Sequence, residues 1–439
     1  MFCCIPYALY PIPYTLHPKP YTLFFCSIIA TVMKQLIQVI CFSMVMGAAS
    51  AQPLPATGWW RGVLHRADGQ KIVFTFEWKQ EKGKAAWYIH NAAEVIRVND
   101  VKRAGDSLIV QIPLFESQFR LRYSNNVLEG IWIKGGAVKT QVMPFTATRD
   151  KERFTVTAPA QKNISGRWAT SFIKNKLSTP AVAEFKQQGN KVTGTFLTPT
   201  GDYRYLEGVV SNDSLLLSCF DGSHAYLFTA TIESNKTIKD GWYYSGAINN
   251  ENWVANKNAT ASLPADLSAI YLKPGEERLN FTFNDLDGKP VSINDARFKN
   301  KIVVVQLMGS WCPNCMDETA FLSEYYRNNK QRGVEVVALA YEYSTDTDRS
   351  IKSLRKFQQR FNVQYPMLLT GVSSSDSLRT EKTLPQVTTI RFLPSSIILD
   401  KNGKVRKFDT GFNGPGTGEH YVQFKKEFEA TIDGLLKEH

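Results

Sequence analysis

Cysteine is scarce in this sequence, with seven in 439 residues. That density excludes a disulfide-stapled scaffold, and an odd number cannot all pair within one chain. Only one Cys-x-x-Cys is present, so there is no second pair to complete a four-thiolate zinc site. Beyond residue 51 the histidines His65, His90, His224, His420 and His439 are scattered, and none lies near that pair in sequence. A Gly-x-Ser-x-Gly elbow and a phosphate-binding loop are also missing. Neither a metal nor an organic cofactor is therefore expected. The 52 Lys and Arg against 40 Asp and Glu give a formal charge of +12, but no nucleic-acid motif accompanies it, so no nucleic-acid partner is expected.

Acidic residues are absent from one stretch altogether. Residues 1–51 hold no Asp, Glu or Arg, and their lysines are Lys19 and Lys34. From Met33 the pattern is that of a secretory signal: Lys34 as a short positive region, a mostly apolar Leu36–Ala48, then Ala49-Ser50-Ala51 before Gln52. The apolar run is short and broken by Gln38, which argues against a membrane span. Val39-Ile40 before Cys41 does not suit a lipoprotein signal. Residues 1–32 are rich in Pro and Tyr and are read as lying upstream of a true start at Met33; an uncleaved anchor over Leu23–Ala48 is the rival reading. An exported protein of the periplasm or cell envelope is expected. Cys3, Cys4, Cys26 and Cys41 leave with the leader, and Cys219, Cys312 and Cys315 remain. The 50 basic residues left against 40 acidic ones bring the charge to +10.

Beyond the leader, the chain has the length of more than one domain. Residues 52–262 show short alternating runs between Gly, Asn and Asp turns, as in Ile72, Phe74, Phe76 and Trp78 or Leu108, Val110 and Ile112. They also repeat. Gly58-Trp59-Trp60 matches Gly166-Arg167-Trp168, Asp106-Ser107-Leu108 matches Asp213-Ser214-Leu215, and Gly130-Ile131-Trp132 matches Gly241-Trp242-Tyr243. Two tandem antiparallel β repeats are expected, 52–160 and 161–262, as barrels or a sandwich. Residues 263–275, with Pro264, Pro274 and Gly275, are read as a linker. From 276 to 439 the pattern becomes α/β: buried runs at Ile302–Leu307 and Val334–Ala340, a strand at Ser395–Leu399, a turn at Asp400-Lys401-Asn402-Gly403, and a terminal helix with Tyr421, Phe424, Phe428, Ile432 and Leu435 on one face.

The chemistry is concentrated in Ser310-Trp311-Cys312-Pro313-Asn314-Cys315, directly after a buried strand and at the start of a helix. One helical turn separates the two sulfurs, so they can close a small ring. The first lies where unpaired N–H groups and the helix dipole favour an anion. Pro313 suits the first helical position. Lowering a thiol pKa from ~8.5 to ~7 raises the thiolate from about 3% to about 50% at pH 7. Cys312 is then the attacking thiol and Cys315 the resolving one. Half of a zinc site and a purely structural disulfide are the competing readings.

With these residues in place, 276–439 resembles the thioredoxin fold, and within it the TlpA/ResA-like thiol–disulfide oxidoreductases. Phe281-Thr282-Phe283 leads to an Asp287-Gly288-Lys289 turn, an apolar strand leads to Trp311-Cys312-x-x-Cys315, Glu318 follows three residues later, Pro394 precedes Ser395–Asp400, and an inserted strand and helix fall in about 334–369. The resemblance implies that Pro394 is a cis-proline facing the dithiol, shaping an edge at Leu393 for an extended substrate. It implies a proton-handling role for Glu318, against a plain first-turn carboxylate that complements the dipole. It also implies reduction of disulfides in envelope proteins, cytochrome c apoprotein among them, with electrons from a membrane donor. Departures are the Pro-Asn dipeptide between the cysteines and Gln306 where thioredoxins carry a buried acid. A peroxidase is disfavoured, because Gly309 stands where peroxiredoxins place Thr.

The remaining signals are weaker. Cys219 alternates with Leu215 and Leu217 and is read as a core residue. Arg349, Lys352, Arg355, Lys356 and Arg360 are read as a solvated helix face. A second function class is kept: a β-domain binding module with an accessory redox domain, which requires a groove lined by tryptophans of 52–262.

Overall fold

Short runs of β-branched and aromatic residues make the first half of the chain a succession of strands joined by tight turns. The structure is a computed structural model. It describes residues 54–136, 139–264 and 269–438, which belong to one compact unit bounded by Pro53 and His439. Residues 1–51, read above as a leader and holding four cysteines, lie outside the described residues. Among the described residues no helix is long and apolar enough to cross a membrane.

The first repeat comprises β1 (Gly58–His65), β2 (Lys71–Glu81), β3 (Lys84–Asn91), β4 (Glu94–Val98), β5 (Asp100–Ala104), β6 (Ser107–Gln111), β7 (Ser117–Ser124), β8 (Val127–Lys134) and β9 (Gln141–Arg149). Their order in the sheet is β4-β3-β2-β1-β9-β8-β7-β6-β5, so β4 and β5 are its two edges. Only Asn99 separates these edges in sequence. One bent strand therefore leaves its pairing with β3 and takes up pairing with β6, which curls the sheet into a barrel.

The second repeat comprises β10 (Gly166–Lys174), β11 (Leu177–Gln188), β12 (Lys191–Thr198), β13 (Gly201–Asp202), β14 (Leu206–Ser211), β15 (Ser214–Phe220), β16 (Ala225–Ser234), β17 (Thr237–Ser245) and β18 (Asn249–Lys257). Here the ring closes outright: β11 pairs with both β10 and β12, β12 with β14, and β18 returns to β10. Each barrel has its own apolar filling. Trp60, Phe74, Phe76, Trp87 and Phe119 are in the first, and Trp168, Phe172, Phe196, Phe228 and Trp253 in the second. Cys219 lies in the second core, where burial pushes its thiol pKa up and makes it a poor nucleophile.

The barrels are locked together. Phe220, at the end of β15, leaves its own core and packs into the first barrel, 4.3 Å from the Phe74 ring and 5.5 Å from Trp132. Asn91 at the end of β3 makes a strand-like pair with it: the Asn91 amide donates to the Phe220 carbonyl at 2.9 Å and accepts from its N–H at 3.1 Å.

The α/β domain comprises β19 (Thr282–Asp285), β20 (Pro290–Ser292), β21 (Ile302–Met308), α1 (Pro313–Asn329), β22 (Val334–Ala340), α2 (Thr347–Phe361), β23 (Met367–Leu369), α3 (Arg379–Thr383), β24 (Ser395–Leu399), β25 (Val405–Thr410) and α4 (Glu419–Lys437). The sheet order is β20-β19-β23-β22-β21-β24-β25, with β21 parallel to β22 and antiparallel to β24. Every residue of β21 is buried, Gln306 included, as its almost wholly apolar run requires for a central strand covered on both faces. One face packs α1 and α4 through Leu322, Tyr325, Phe428 and Ile432; the other buries Val303, Val305, Leu339 and Ile397 with Phe281 and Val387.

The basic run on α2 departs from a simple solvated face. Lys352, Lys356 and Arg360 are exposed. Arg349, however, pairs with Glu116 of the first barrel, donating from Nε at 2.8 Å, and Arg355 pairs with Asp287. The run is partly a docking face, because helix α2 lies against the β6–β7 connection. That contact links residues 233 positions apart and leaves no periodic trace in the sequence.

Candidate active site

Strand β21 ends at Met308, and the chain then turns through Gly309-Ser310-Trp311 into α1. Two buried interactions hold that turn. The Ser310 N–H and hydroxyl donate to the two oxygens of Glu342, at 2.8 and 2.6 Å. The Trp311 indole N–H donates to the Tyr341 carbonyl at 2.9 Å, and its ring stacks on Tyr343 at 4.5 Å. Both anchors come from the end of the neighbouring parallel strand β22, so the sheet register fixes the entry into the helix.

Cys312 is the residue before the first helical turn, with extended backbone, and Pro313 fills the first helical position. The Cys312 sulfur accepts the backbone N–H of Cys315 at 3.2 Å. The two cysteines form a disulfide with their Cα atoms 5.2 Å apart. Cys315 is fully buried, and Cys312 keeps 6% of its surface exposed. After reduction, the N–H that now meets the Cys312 sulfur and the helix N-terminus both favour its thiolate.

Across from the pair, the Leu393–Pro394 peptide is cis and the Leu393 carbonyl oxygen stands 3.6 Å from the Cys312 sulfur. Beneath the pair lies Glu318, buried on the inner face of α1. The Gln306 amide donates to one of its oxygens at 2.8 Å, and the Ser396 hydroxyl donates to the other at 2.9 Å. Burial outweighs these two donors and pushes the Glu318 pKa up to about 7, so at neutral pH the group exchanges protons readily. A carboxylate placed only to complement the helix dipole would stand in water, and Glu318 does not. Gln306, in the place of a buried acid, acts here as the donor that orients Glu318.

Trp311, Cys312, Cys315, Glu318 and Pro394 are thus gathered at one end of the sheet, around the start of α1. No group of three or more His, Cys, Asp or Glu placed to hold a metal occurs among the described residues.

The model of the Redoxin family matches residues 273–422. A thiol–disulfide oxidoreductase ResA of Bacillus cereus is 30% identical over 149 residues, which cover 34% of this chain and 76% of that protein. The chain belongs to the ResA-like thiol–disulfide oxidoreductases of the thioredoxin fold. The ResA of Bacillus thuringiensis subsp. konkukian is also 30% identical, over 131 residues that cover 30% of this chain and 66% of the relative, just under two thirds of its length. That of Bacillus subtilis is 26% identical over 140 residues, 32% of this chain and 69% of the relative. Among solved structures, a thiol–disulfide oxidoreductase from Bacteroides fragilis covers 35% of this chain and 99% of its own length, at 17% identity and a TM-score of 0.27.

In this ResA-like chain the site also contains residues that sequence reasoning passed over. Ser396 and Glu342 are two. A third is Arg204, from the second barrel, whose guanidinium donates to the Pro313 carbonyl at 3.2 Å and pairs with Asp317 on α1. Gln306 carried a legible signal, as the single polar residue in the apolar run Ile302–Leu307. Arg204 carried none, because Glu94, Pro313 and Asp317, which it joins, lie about a hundred residues away on either side.

Proposed function

We propose that the protein is an exported thiol–disulfide oxidoreductase that reduces disulfides of cell-envelope proteins through Cys312 and Cys315. The observation that carries the reading is the Cys312 sulfur at the head of α1, held by the Cys315 N–H and facing the Leu393 carbonyl beside a cis-proline. That carbonyl belongs to a backbone edge of the kind that pairs with an extended peptide. The leader pattern of residues 33–51 supports export.

Reduction takes two exchanges. The Cys312 thiolate attacks one sulfur of a substrate disulfide; a new S–S bond joins the proteins and the substrate's other sulfur leaves as a thiolate. Cys315, deprotonated with Glu318 as the nearby buried base, attacks the Cys312 sulfur. The protein disulfide forms, and the second substrate thiol leaves. Two electrons and two protons pass to the substrate. The oxidised pair is reset by a reductant in the membrane. Cytochrome c apoprotein suits this chemistry as one substrate, because its thiols must be free before haem attaches.

The competing reading of a binding module loses its main support. Six of its eight tryptophans, Trp60, Trp78, Trp87, Trp132, Trp168 and Trp253, are wholly buried and fill the two barrel cores, which leaves Trp59 and Trp242 exposed.

The test is trapping in the native host with Cys315→Ala. Mixed disulfides should accumulate on Cys312 and name the substrates. Absence of adducts, with no disulfide reduced by the purified protein, overturns the reading. The reduction potential decides direction: below about −200 mV fits a reductase, and near about −120 mV an oxidant.

A further inference from the structure

The dithiol of this chain is covered by its own barrels. Apart from the two cysteines, every residue of Trp311–Asp317 touches one. The Ser223 hydroxyl donates to the Trp311 carbonyl at 3.3 Å. Arg204 donates to the Pro313 carbonyl, and the Asn314 amide donates to the Asp202 carbonyl at 3.2 Å. Met316 packs against the core of the first barrel, and Asp317 pairs with Arg204. The loop before α4 is engaged as well: the Gly414 N–H donates to the Asp202 carboxylate at 2.7 Å. A Cβ on Gly416 would lie only 3.1 Å from the Arg204 carbonyl.

Arg204 is the centre of this contact. It is 1% exposed and pairs with carboxylates from all three domains: Glu94 of the first barrel, Asp221 of the second at 3.4 Å, and Asp317 of α1. A buried cation among three carboxylates is held by all of them, and losing it strands their charges. On the far side of the dithiol the surface is open: Arg391 is exposed, and Phe392 and Leu393 are partly so.

Resting on the oxidoreductase reading above, we propose that the segment Pro199–Tyr205 determines specificity. Seated over the start of α1 by Arg204, it leaves Cys312 reachable only along the Leu393 edge, and so selects disulfides in extended, unfolded polypeptide over those on folded proteins. Arg204 acts as a positioning residue, with no contact to the reacting sulfurs. The barrels, more than half of the described chain, then have a role: they form the wall that narrows the approach.

The experiment uses the reduced full-length protein and two variants. Arg204→Gln removes the central cation, and Gly416→Val wedges the contact from the redox side while leaving Arg204 and the dithiol intact. Each protein is given a short disulfide-bridged peptide and insulin, a folded disulfide protein, and kcat/KM is measured for both. A parallel series measures alkylation of Cys312 by N-ethylmaleimide and by a polymer-linked maleimide, which needs no oxidoreductase activity. The wild type should prefer the peptide and the small maleimide. Releasing the contact shifts a closed–open equilibrium, so both variants should raise the insulin-to-peptide ratio and the large-to-small alkylation ratio by about tenfold or more. A merely structural defect lowers both rates and leaves the ratios alone. Unchanged ratios in both variants, or a wild type that shows no preference, overturn the proposal. A shifted alkylation ratio with no disulfide reduced by any of the three upholds the wall and removes the oxidoreductase reading instead.

Discussion

Glu318 is a carboxyl with its ordinary pKa of 4.5 pushed up to about 7 by burial, against the pull of Gln306 and Ser396. Glu342, held by Ser310, is raised to about 7 for the same reason. In each case the folded state binds the proton more tightly than the unfolded chain. Stability should therefore rise as pH falls from about 7 toward the unfolded value, and be lowest above 7 where both are charged. Glu318→Gln removes one share of that slope, on the order of 3 kcal/mol between the two limits. Urea unfolding at pH 5 and pH 8 checks it: the stability difference between these pH values should shrink in the variant, and an unchanged difference counts against a buried, titrating Glu318. The same substitution should slow release of substrate from the mixed disulfide near neutral pH and leave its formation by Cys312 nearly intact, as rapid-quench measurement of the two steps would show. The chemistry of the dithiol was readable in Trp311–Cys315 because it is local. The surroundings that set Glu318 and Asp317 were not, since burial by a partner strand or a distant domain has no signature in the neighbouring residues.

At the level of elements, the alternation of Ile72, Phe74, Phe76 and Trp78 and the matched Gly-x-Trp starts of β1 and β10 made the repeated β architecture legible. Closure was not. In the first barrel it depends on a single strand bending at Asn99, and in the second on β11 finding β12 as well as β10. Both are choices of partner, and alternation reads the same in a sandwich. Phe220 illustrates a related blind spot. Its place in β15 assigns it to the second barrel, yet it fills the first, against Phe74, Phe119 and Trp132. Phe220→Ala should leave a void in that core and cost roughly 3–5 kcal/mol, read as a lower urea midpoint. A loss under about 1 kcal/mol, typical of a surface substitution, would mean the ring is not seated there.

On the scale of the whole molecule, the two barrels and the redox domain meet at the dithiol. Arg204, with Glu94, Asp221 and Asp317, ties all three through one buried charge cluster, and Arg349 with Glu116 adds a second link. Such sharing predicts one cooperative unfolding transition for the full chain. Arg204→Gln should split it, with the near-ultraviolet signal of the barrel tryptophans separating from the loss of α-helix; coincident curves in the variant would mean the cluster does not couple the domains. The central claim is that Cys312 exchanges disulfides with an extended polypeptide. The most direct measurement incubates reduced full-length Cys315→Ala protein with a disulfide-bridged peptide and locates any adduct by mass spectrometry. A stable mixed disulfide on Cys312 is expected, with none when Cys312 is also replaced by Ser. No adduct on Cys312, or an adduct on Cys219 instead, would contradict it.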